Sequence, residues 1–120
     1  MDGIRRFEDL DVWQKAVELS IAVYSQLKDC KDFGLKDQMQ CSSILMPSNI
    51  AEGFERQTNK EFVQFLYIAK GSCGELRTQL YIAKQLNYIP EANVLELMEK
   101  ATRISIMSYK LIQYRKTLTN

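Results

Sequence analysis

The chain contains 120 residues, carries a net charge of +1, and is 46% hydrophobic and 26% charged. These values are typical of one globular domain and exclude an intrinsically disordered chain, a collagen-like repeat and a disulfide-rich scaffold. Histidine is absent, which excludes the common zinc sites and the nucleophile–histidine pairs of hydrolases.

The first predicted helix runs from Leu10 to Lys28 and carries more apolar surface than one neighbouring helix can cover. One stripe, with the three- and four-residue spacing of a heptad, comprises Leu10, Trp13, Val17, Ser20, Tyr24 and Leu27. A second stripe beside it comprises Val12, Ala16, Leu19 and Val23. Because a wide apolar face left uncovered by its own bundle predicts oligomerisation, we expect a homo-oligomer whose interface includes Val12, Trp13, Ala16 and Leu19.

The second predicted helix, from Leu35 to Glu55, follows a turn at residues 30–34 and contains a proline. Pro47 lacks a backbone N–H, so the carbonyl of Ser43, four residues earlier, loses its helical donor. We expect the helix to bend there unless small polar side chains satisfy the freed group, and the residues well placed to do so are Ser42, Ser43 and Ser48.

A set of polar and small residues around this proline is predicted to form a structural motif: Pro47, Ser48, Asn49, Glu52 and Gly53. Asn49 and Glu52 are three residues apart and project from one side of the helix. In one interpretation they form a polar site that lines a pocket or channel. In the other they are structural: Asn49 binds backbone freed by Pro47, and Glu52 pairs with Arg56 or closes an interhelical or intersubunit hydrogen bond.

Two further helices complete the predicted fold. Thr58-Asn59-Lys60-Glu61 has the form of a capping box and opens the third helix, which continues to Leu86. Pro90 opens the fourth helix, which ends near Tyr114. The predicted apolar stripe of the third helix comprises Phe62, Leu66, Ala69, Cys73, Leu76, Leu80 and Ala83. That of the fourth comprises Val94, Leu97, Ala101, Ile104, Ser108 and Leu111. Short connections between four long helices predict an all-α, antiparallel up-down-up-down bundle that occupies residues 1–120 as one domain, with a frayed tail at residues 116–120.

Glycines interrupt the second and third helices at Gly53, Gly71 and Gly74. Glycine inside a helix costs about 1 kcal/mol relative to alanine and therefore asks for a structural reason. We expect each of the three to permit a close approach of another backbone.

Three cysteines, Cys30, Cys41 and Cys73, include no C-x-x-C pair. No apolar run approaches the ~20 residues needed to span a bilayer, and the first six residues lack an apolar signal core. We therefore predict a cytoplasmic protein with reduced, mostly buried thiols, no membrane contact, no metal and no cofactor.

The second half of the chain is basic: residues 1–60 carry a net charge of −2 and residues 61–120 carry +3. Lys70, Arg77 and Lys84 recur every seven residues on the third helix, and the fourth helix carries Lys100, Arg103, Lys110, Arg115 and Lys116. Such rows, interleaved with tyrosines, can bind the phosphates and unpaired bases of RNA. Alternatively, they form a solvated helix face whose cations pair with Glu75, Glu96 or Glu99.

Several short motifs occur together that bundle periodicity alone does not require. They are Phe7-x-x-Leu10-x-Val12-Trp13-Gln14, Ser48-Asn49-Ile50-Ala51-Glu52-Gly53, and Gly71-Ser72 followed by Glu75-Leu76. Because of these motifs, the chain resembles over nearly its whole length the four-helix bundle proteins encoded in the intervening sequences of bacterial 23S ribosomal RNA genes. One difference is the uncharged Met39-Gln40-Cys41, where members of that family tend to carry arginine.

The resemblance implies a left-handed antiparallel bundle that assembles as a homopentamer with a central channel. It also implies kinship with the accessory proteins of diversity-generating retroelements, which bind nucleic acid and a reverse transcriptase through a basic surface. No catalytic activity or cofactor is established for the family. We therefore predict a non-enzymatic, self-assembling scaffold that binds RNA or a nucleic-acid-processing partner through basic faces of the third and fourth helices. The alternatives are a protein-interaction module without nucleic-acid binding and an enzyme built around Glu52 and Glu75.

Overall fold

The computed structural model describes residues 3–118. A 3₁₀ turn, Phe7–Asp9, precedes four α-helices: α1 (Asp11–Gln26), α2 (Phe33–Phe54), α3 (Asn59–Gln85) and α4 (Glu91–Lys116). No strand occurs within this range, and none of its helices has the length and hydropathy that crossing a bilayer requires. The last two residues of the tail predicted to fray, Thr119 and Asn120, lie outside the described residues.

The helices form a four-helix bundle about 48 × 20 × 20 Å in size. Each helix packs on two others in the cyclic order α1, α2, α3, α4, with α4 closing onto α1. The start of α3 lies beside the end of α4, where Arg115 Nη1 donates to Asn59 Oδ1 at 2.8 Å. At the other end, Lys84 Nζ lies 3.7 Å from Glu91 Oε2. The predicted all-α bundle is thus confirmed, and the left-handed twist stays a prediction.

Side-chain caps explain where α2 and α3 begin. Asp32 Oδ1 accepts a hydrogen bond from the Leu35 N–H at 3.1 Å, so α2 begins two residues earlier than predicted. Gly34, predicted to lie in the preceding turn, is therefore in the first turn of the helix. The predicted capping box is confirmed, because Thr58 Oγ1 accepts from the Glu61 N–H at 3.1 Å.

Asn87 ends α3 by adopting a left-handed backbone conformation, with φ of 61°. The Asn87 N–H donates to the Lys84 carbonyl at 3.0 Å, and the Tyr88 N–H donates to the Ala83 carbonyl at 2.9 Å. This pair of bonds is a Schellman motif, which satisfies carbonyls at the end of a helix. The Tyr88 hydroxyl donates to Asp32 Oδ2 at 3.1 Å, and this bond raises the pKa of Tyr88 above its ordinary value.

The core follows the apolar stripes that the sequence predicts for α3 and α4. On α3 the buried stripe is Phe62, Leu66, Ala69, Cys73, Leu76, Leu80 and Ala83. On α4 it is Val94, Leu97, Ala101, Ile104, Ser108 and Leu111. The buried side of α2 is more polar and includes Ser42, Ser43 and Asn49.

On α1 the structure buries all of the second predicted stripe and half of the first, namely Leu10, Ser20 and Leu27. The stripe buried in the chain's own core consists of Val12, Ala16, Leu19 and Val23. The interface predicted at the first three of these residues is therefore wrong, because α2 and α4 pack on α1 from two sides and cover them. In the other stripe Trp13 and Val17 are half-buried and Tyr24 is exposed. Trp13 packs against Phe7, with ring centroids 5.4 Å apart.

The three cysteines are free and differ in exposure. Cys73 is buried with its Sγ 3.2 Å from Met46 Sδ, and burial raises the pKa of its thiol to about 11. Cys30 is half-buried and Cys41 is exposed. The prediction of mostly buried thiols is therefore correct for Cys73 and wrong for Cys41.

Candidate nucleic-acid interface

Pro47 lies inside α2 without ending it, and a side chain of α1 contacts the carbonyl that the proline leaves without its helical donor. The Ser43 carbonyl accepts a hydrogen bond from Ser20 Oγ of α1 at 2.6 Å. The donors predicted on α2 itself do not make this bond: the Ser43 hydroxyl donates to another carbonyl, and Ser48 is exposed. The freed carbonyl therefore joins α1 to α2.

The polar residues that follow Pro47 make contacts within α2. Asn49 Nδ2 donates to the Leu45 carbonyl at 2.8 Å, which is not the carbonyl that Pro47 leaves free, so the predicted role of Asn49 is corrected. Glu52 Oε2 accepts from Arg56 Nη2 at 2.9 Å, as predicted. Both contacts favour the structural interpretation of this pair.

Of the three helix glycines, Gly53 lies against a neighbouring helix, whereas Gly71 and Gly74 have free space beside them. A Cβ atom at Gly53 would lie 2.6 Å from the Phe65 Cβ and 2.9 Å from the Phe62 Cδ1. The predicted close approach is therefore confirmed at Gly53, where α2 meets α3. A Cβ atom at Gly71 or Gly74 would have nothing within 4 Å, so within this chain the same prediction is wrong for both.

The two carboxylates of the enzyme alternative do not share a site. Glu52 precedes Gly53, which packs on Phe62 and Phe65. Glu75 lies ten residues beyond Phe65, about 15 Å along the helix axis. Among residues 3–118, no three acidic or cysteine side chains are grouped closely enough to hold a metal ion.

The predicted basic residues divide between two surfaces, one on each side of α4. On the side facing α1, Lys100 Nζ lies 3.5 Å from Glu96 Oε1, and Arg103 Nη2 lies 3.7 Å from Glu99 Oε1. These residues line a groove between α1 and α4 that continues to Lys110. The predicted pairing with Glu96 and Glu99 is confirmed, and exposed pairs of this kind contribute about 0.3–0.5 kcal/mol each.

The other predicted basic residues lie on the opposite side of α4, where it packs against α3. Lys84 contacts Glu91 at one end of this surface, and Lys116 Nζ donates to the Tyr67 hydroxyl at 3.0 Å near the other. Residues seven apart lie on nearly one line of a helix, so Lys70 and Arg77 continue the line of Lys84. We call this surface the α3–α4 face; it comprises Tyr67, Lys70, Arg77, Tyr81, Lys84, Tyr109, Arg115 and Lys116.

The α3–α4 face is cationic and aromatic. Within residues 3–118, Lys84 is the one cation of this face that has a carboxylate partner. Three tyrosine side chains are 43%, 53% and 51% exposed, namely Tyr67, Tyr81 and Tyr109. From Tyr67 to Lys84 the face extends about 26 Å along α3. Two of the rings lie near an ammonium: Lys84 Nζ is 5.4 Å from the Tyr81 centroid, and Lys116 Nζ is 5.3 Å from the Tyr67 centroid. Cations and exposed tyrosines therefore share one surface.

Sequence reasoning missed a cleft at one end of this face. Asn59 and Lys60, in the first turn of α3, line it together with Tyr67, Arg115 and Lys116. The capping box located the start of α3 in the sequence. No sequence signal showed that the last turn of α4 lies beside it, so Lys60 was not grouped with the cations of α4.

Comparisons with known proteins agree with the bundle architecture. A sequence model of the family described as 23S rRNA-intervening sequence protein matches residues 8–110. A comparison with curated proteins gives no match. The structure is similar to the crystal structure of a protein of unknown function from the S23 ribosomal protein family of Bacteroides thetaiotaomicron, with a TM-score of 0.80 and 23% identity over 84% of this chain and 97% of that chain. That likeness shows the fold alone. Because the family match covers most of the sequence, the chain belongs to the 23S rRNA-intervening sequence protein family.

Proposed function

We propose that this protein is a non-enzymatic bundle that self-assembles and binds single-stranded nucleic acid through the α3–α4 face. The expected nucleic acid is RNA. The observation that carries the proposal is the composition of that face, where cations without carboxylate partners among residues 3–118 lie among exposed tyrosines. Cations along a helix can contact successive phosphates, and tyrosine rings can stack on unpaired bases. Lys100 and Arg103 are not included, because carboxylates already neutralise them.

Removing two charges from the α3–α4 face should weaken RNA binding. For the double variant Lys70→Gln/Arg77→Gln we expect about tenfold lower affinity for a single-stranded RNA at low salt, and a salt-dependence slope reduced by about 1.4. The matched control is Lys100→Gln/Arg103→Gln, which removes the same charge from the opposite groove and should change affinity less than about twofold. Fluorescence anisotropy across a salt series measures both. Equal losses in the two variants, or a flat salt dependence of the unaltered protein, contradict the proposal.

Self-assembly is supported by an exposed apolar patch that spans α1 and α2. Ile21 follows Ser20 and is 65% exposed, and Ile44 follows Ser43 and is 44% exposed. Because Ser20 and Ser43 are hydrogen-bonded, the two isoleucines lie on neighbouring turns, with Tyr24 close by along α1. Exposed apolar patches of this kind mark interaction sites. The family resemblance makes five the expected number of copies.

The substitution Ile21→Lys should weaken self-association about tenfold or more while leaving the helix intact, because this side chain is exposed within the chain. Sedimentation velocity over a range of protein concentrations measures the effect. The control is Leu95→Lys, at a position on α4 that is 53% exposed, which should leave the assembly unchanged. A folded monomer of the unaltered protein at micromolar concentration contradicts self-assembly. If the protein assembles but does not bind RNA, the result supports the alternative, which is a protein-interaction module without nucleic-acid binding.

A further inference from the structure

The α3–α4 face ends in a cleft, which sets this end apart from the open surface beside it. The cleft has a volume of about 380 Å³ and lies between the first turn of α3 and the last turn of α4. Its polar lining comprises Asn59, Lys60, Gln64, Tyr67, Arg115 and Lys116, and none of the lining residues within 3–118 carries a carboxylate side chain. Pockets for small ligands begin at about 300 Å³, so the cleft has room for one such group.

Arg115 is held in a defined position in the cleft. Its Nη1 donates to Asn59 Oδ1 at 2.8 Å, and its guanidinium carbon lies 4.9 Å from the centroid of the Phe62 ring. Its Nε is buried and has no hydrogen-bond partner among the described residues. Because Nε is shielded, a ligand in the cleft would meet the rest of the guanidinium, and Arg115 lines the cleft. Because a guanidinium matches the oxygen geometry of phosphate, an anion is the natural complement of this side chain.

Tyr67 lines the cleft with a ring that the neighbouring ammonium does not cover. Lys116 Nζ lies 3.0 Å from the Tyr67 hydroxyl oxygen but 5.3 Å from the ring centroid. The ammonium therefore lies beyond the hydroxyl rather than above the ring. The Tyr67 side chain is 43% exposed, so an aromatic ligand group can stack on it while Lys116 stays in place.

The charge of the cleft comes from its side chains rather than from helix dipoles. The start of α3 contributes partial positive charge, and the adjacent end of α4 contributes partial negative charge. Because these two contributions oppose each other, the attraction for an anion rests on Lys60, Arg115 and Lys116. Two of these cations are already positioned by Asn59 and Tyr67, which reduces the entropy lost when a ligand binds.

We propose that this cleft binds one nucleotide of a single strand, with the phosphate between Lys60, Arg115 and Lys116 and the base stacked on Tyr67. This inference rests on the proposed function and states where the strand is anchored. Inorganic phosphate could contact the three cations but would make no stacking contact with the Tyr67 ring, whereas a nucleotide can do both. A base held in a duplex cannot enter the cleft, because its faces are covered by its neighbours in the stack.

Titration of the protein with AMP, adenosine and inorganic phosphate, followed by backbone-amide NMR, tests the inference. We expect AMP to bind about tenfold more tightly than either fragment, with the largest shifts at residues 59–67 and 115–118. Tyr67→Leu should weaken AMP binding about tenfold, whereas Tyr67→Phe, which keeps the ring, should retain most of it. Lys116→Gln should also weaken binding, and Lys110→Gln, on the other side of α4, should not. AMP binding no tighter than phosphate, or equal behaviour of Tyr67→Leu and Tyr67→Phe, overturns the proposal.

A single-stranded RNA decamer, titrated in parallel, separates this inference from the proposed function. If the decamer binds and Lys70→Gln/Arg77→Gln weakens it while AMP does not bind, the cleft inference is wrong and the proposed function stands. If neither ligand binds, both are wrong. If AMP binds and the decamer does not, the cleft recognises a free nucleotide and both statements are overturned as written.

Discussion

Replacing Ser20 with alanine should lower the free energy of unfolding by about 1–3 kcal/mol, the cost of leaving a buried polar group without a partner. Ser20 Oγ lies 2.6 Å from the Ser43 carbonyl oxygen, and Ser43 is fully buried. Pro47 has no N–H, so the backbone offers no replacement donor. Urea denaturation followed by circular dichroism, at one fixed protein concentration, measures the change.

A double-mutant cycle with Pro47 identifies the cause of this loss. Pro47→Ala restores the N–H that an uninterrupted helix would direct at the Ser43 carbonyl. In that background Ser20→Ala should cost at most about half as much, which corresponds to a coupling energy of at least about 0.5–1.5 kcal/mol. Ser25→Ala, at an exposed position on the same helix, should change stability by no more than about 0.5 kcal/mol. Equal costs of Ser20→Ala in the two backgrounds would show that the proline-freed carbonyl is not the reason.

Two glycine-to-alanine substitutions should change stability in opposite directions. Gly53→Ala should lower the free energy of unfolding by about 1–3 kcal/mol, because the added methyl group overpacks the contact between α2 and α3. The atoms it meets are the Phe65 Cβ at 2.6 Å and the Phe62 carbonyl oxygen at 3.3 Å, which move only with the backbone of α3. Gly71→Ala, where nothing lies within 4 Å, should raise stability by about 0.5–1 kcal/mol through helix propensity.

Thermal and urea unfolding of both glycine variants, each compared with the unaltered protein at several matched protein concentrations, tests this pair. Stabilisation by Gly53→Ala would contradict the close approach of α2 and α3. A loss at Gly71 that grows with protein concentration would contradict the second half of the prediction, because it would show that another copy packs on this glycine.

The apolar periodicity predicted the core of α3 and α4 correctly because each of these helices has one apolar face. On α1 two stripes satisfy the same spacing rule, and the pattern does not encode which of them faces α2 and α4. Sequence reasoning therefore assigned Val12, Ala16 and Leu19 to an interface, although they are buried within the chain. Distinguishing the two stripes requires the relative rotation of the neighbouring helices, which depends on tertiary packing.

The same limit applies to the polar contacts. Contacts within one helix were predictable from spacing alone, such as the pair formed by Glu52 and Arg56. The donor to the Ser43 carbonyl is Ser20, twenty-three residues away, and no local rule selects it. The cleft that combines Lys60 with Arg115 likewise depends on which helix ends meet.

The cyclic order of the helices places the α1–α2 patch and the α3–α4 face on opposite sides of the bundle. In a ring of five copies the patch of one copy packs on a different surface of the next. Where that second surface is not the α3–α4 face, every copy keeps its α3–α4 face free. A strand that is long enough to reach two such faces gains an effective local concentration at the second, so its avidity exceeds the affinity of either face alone.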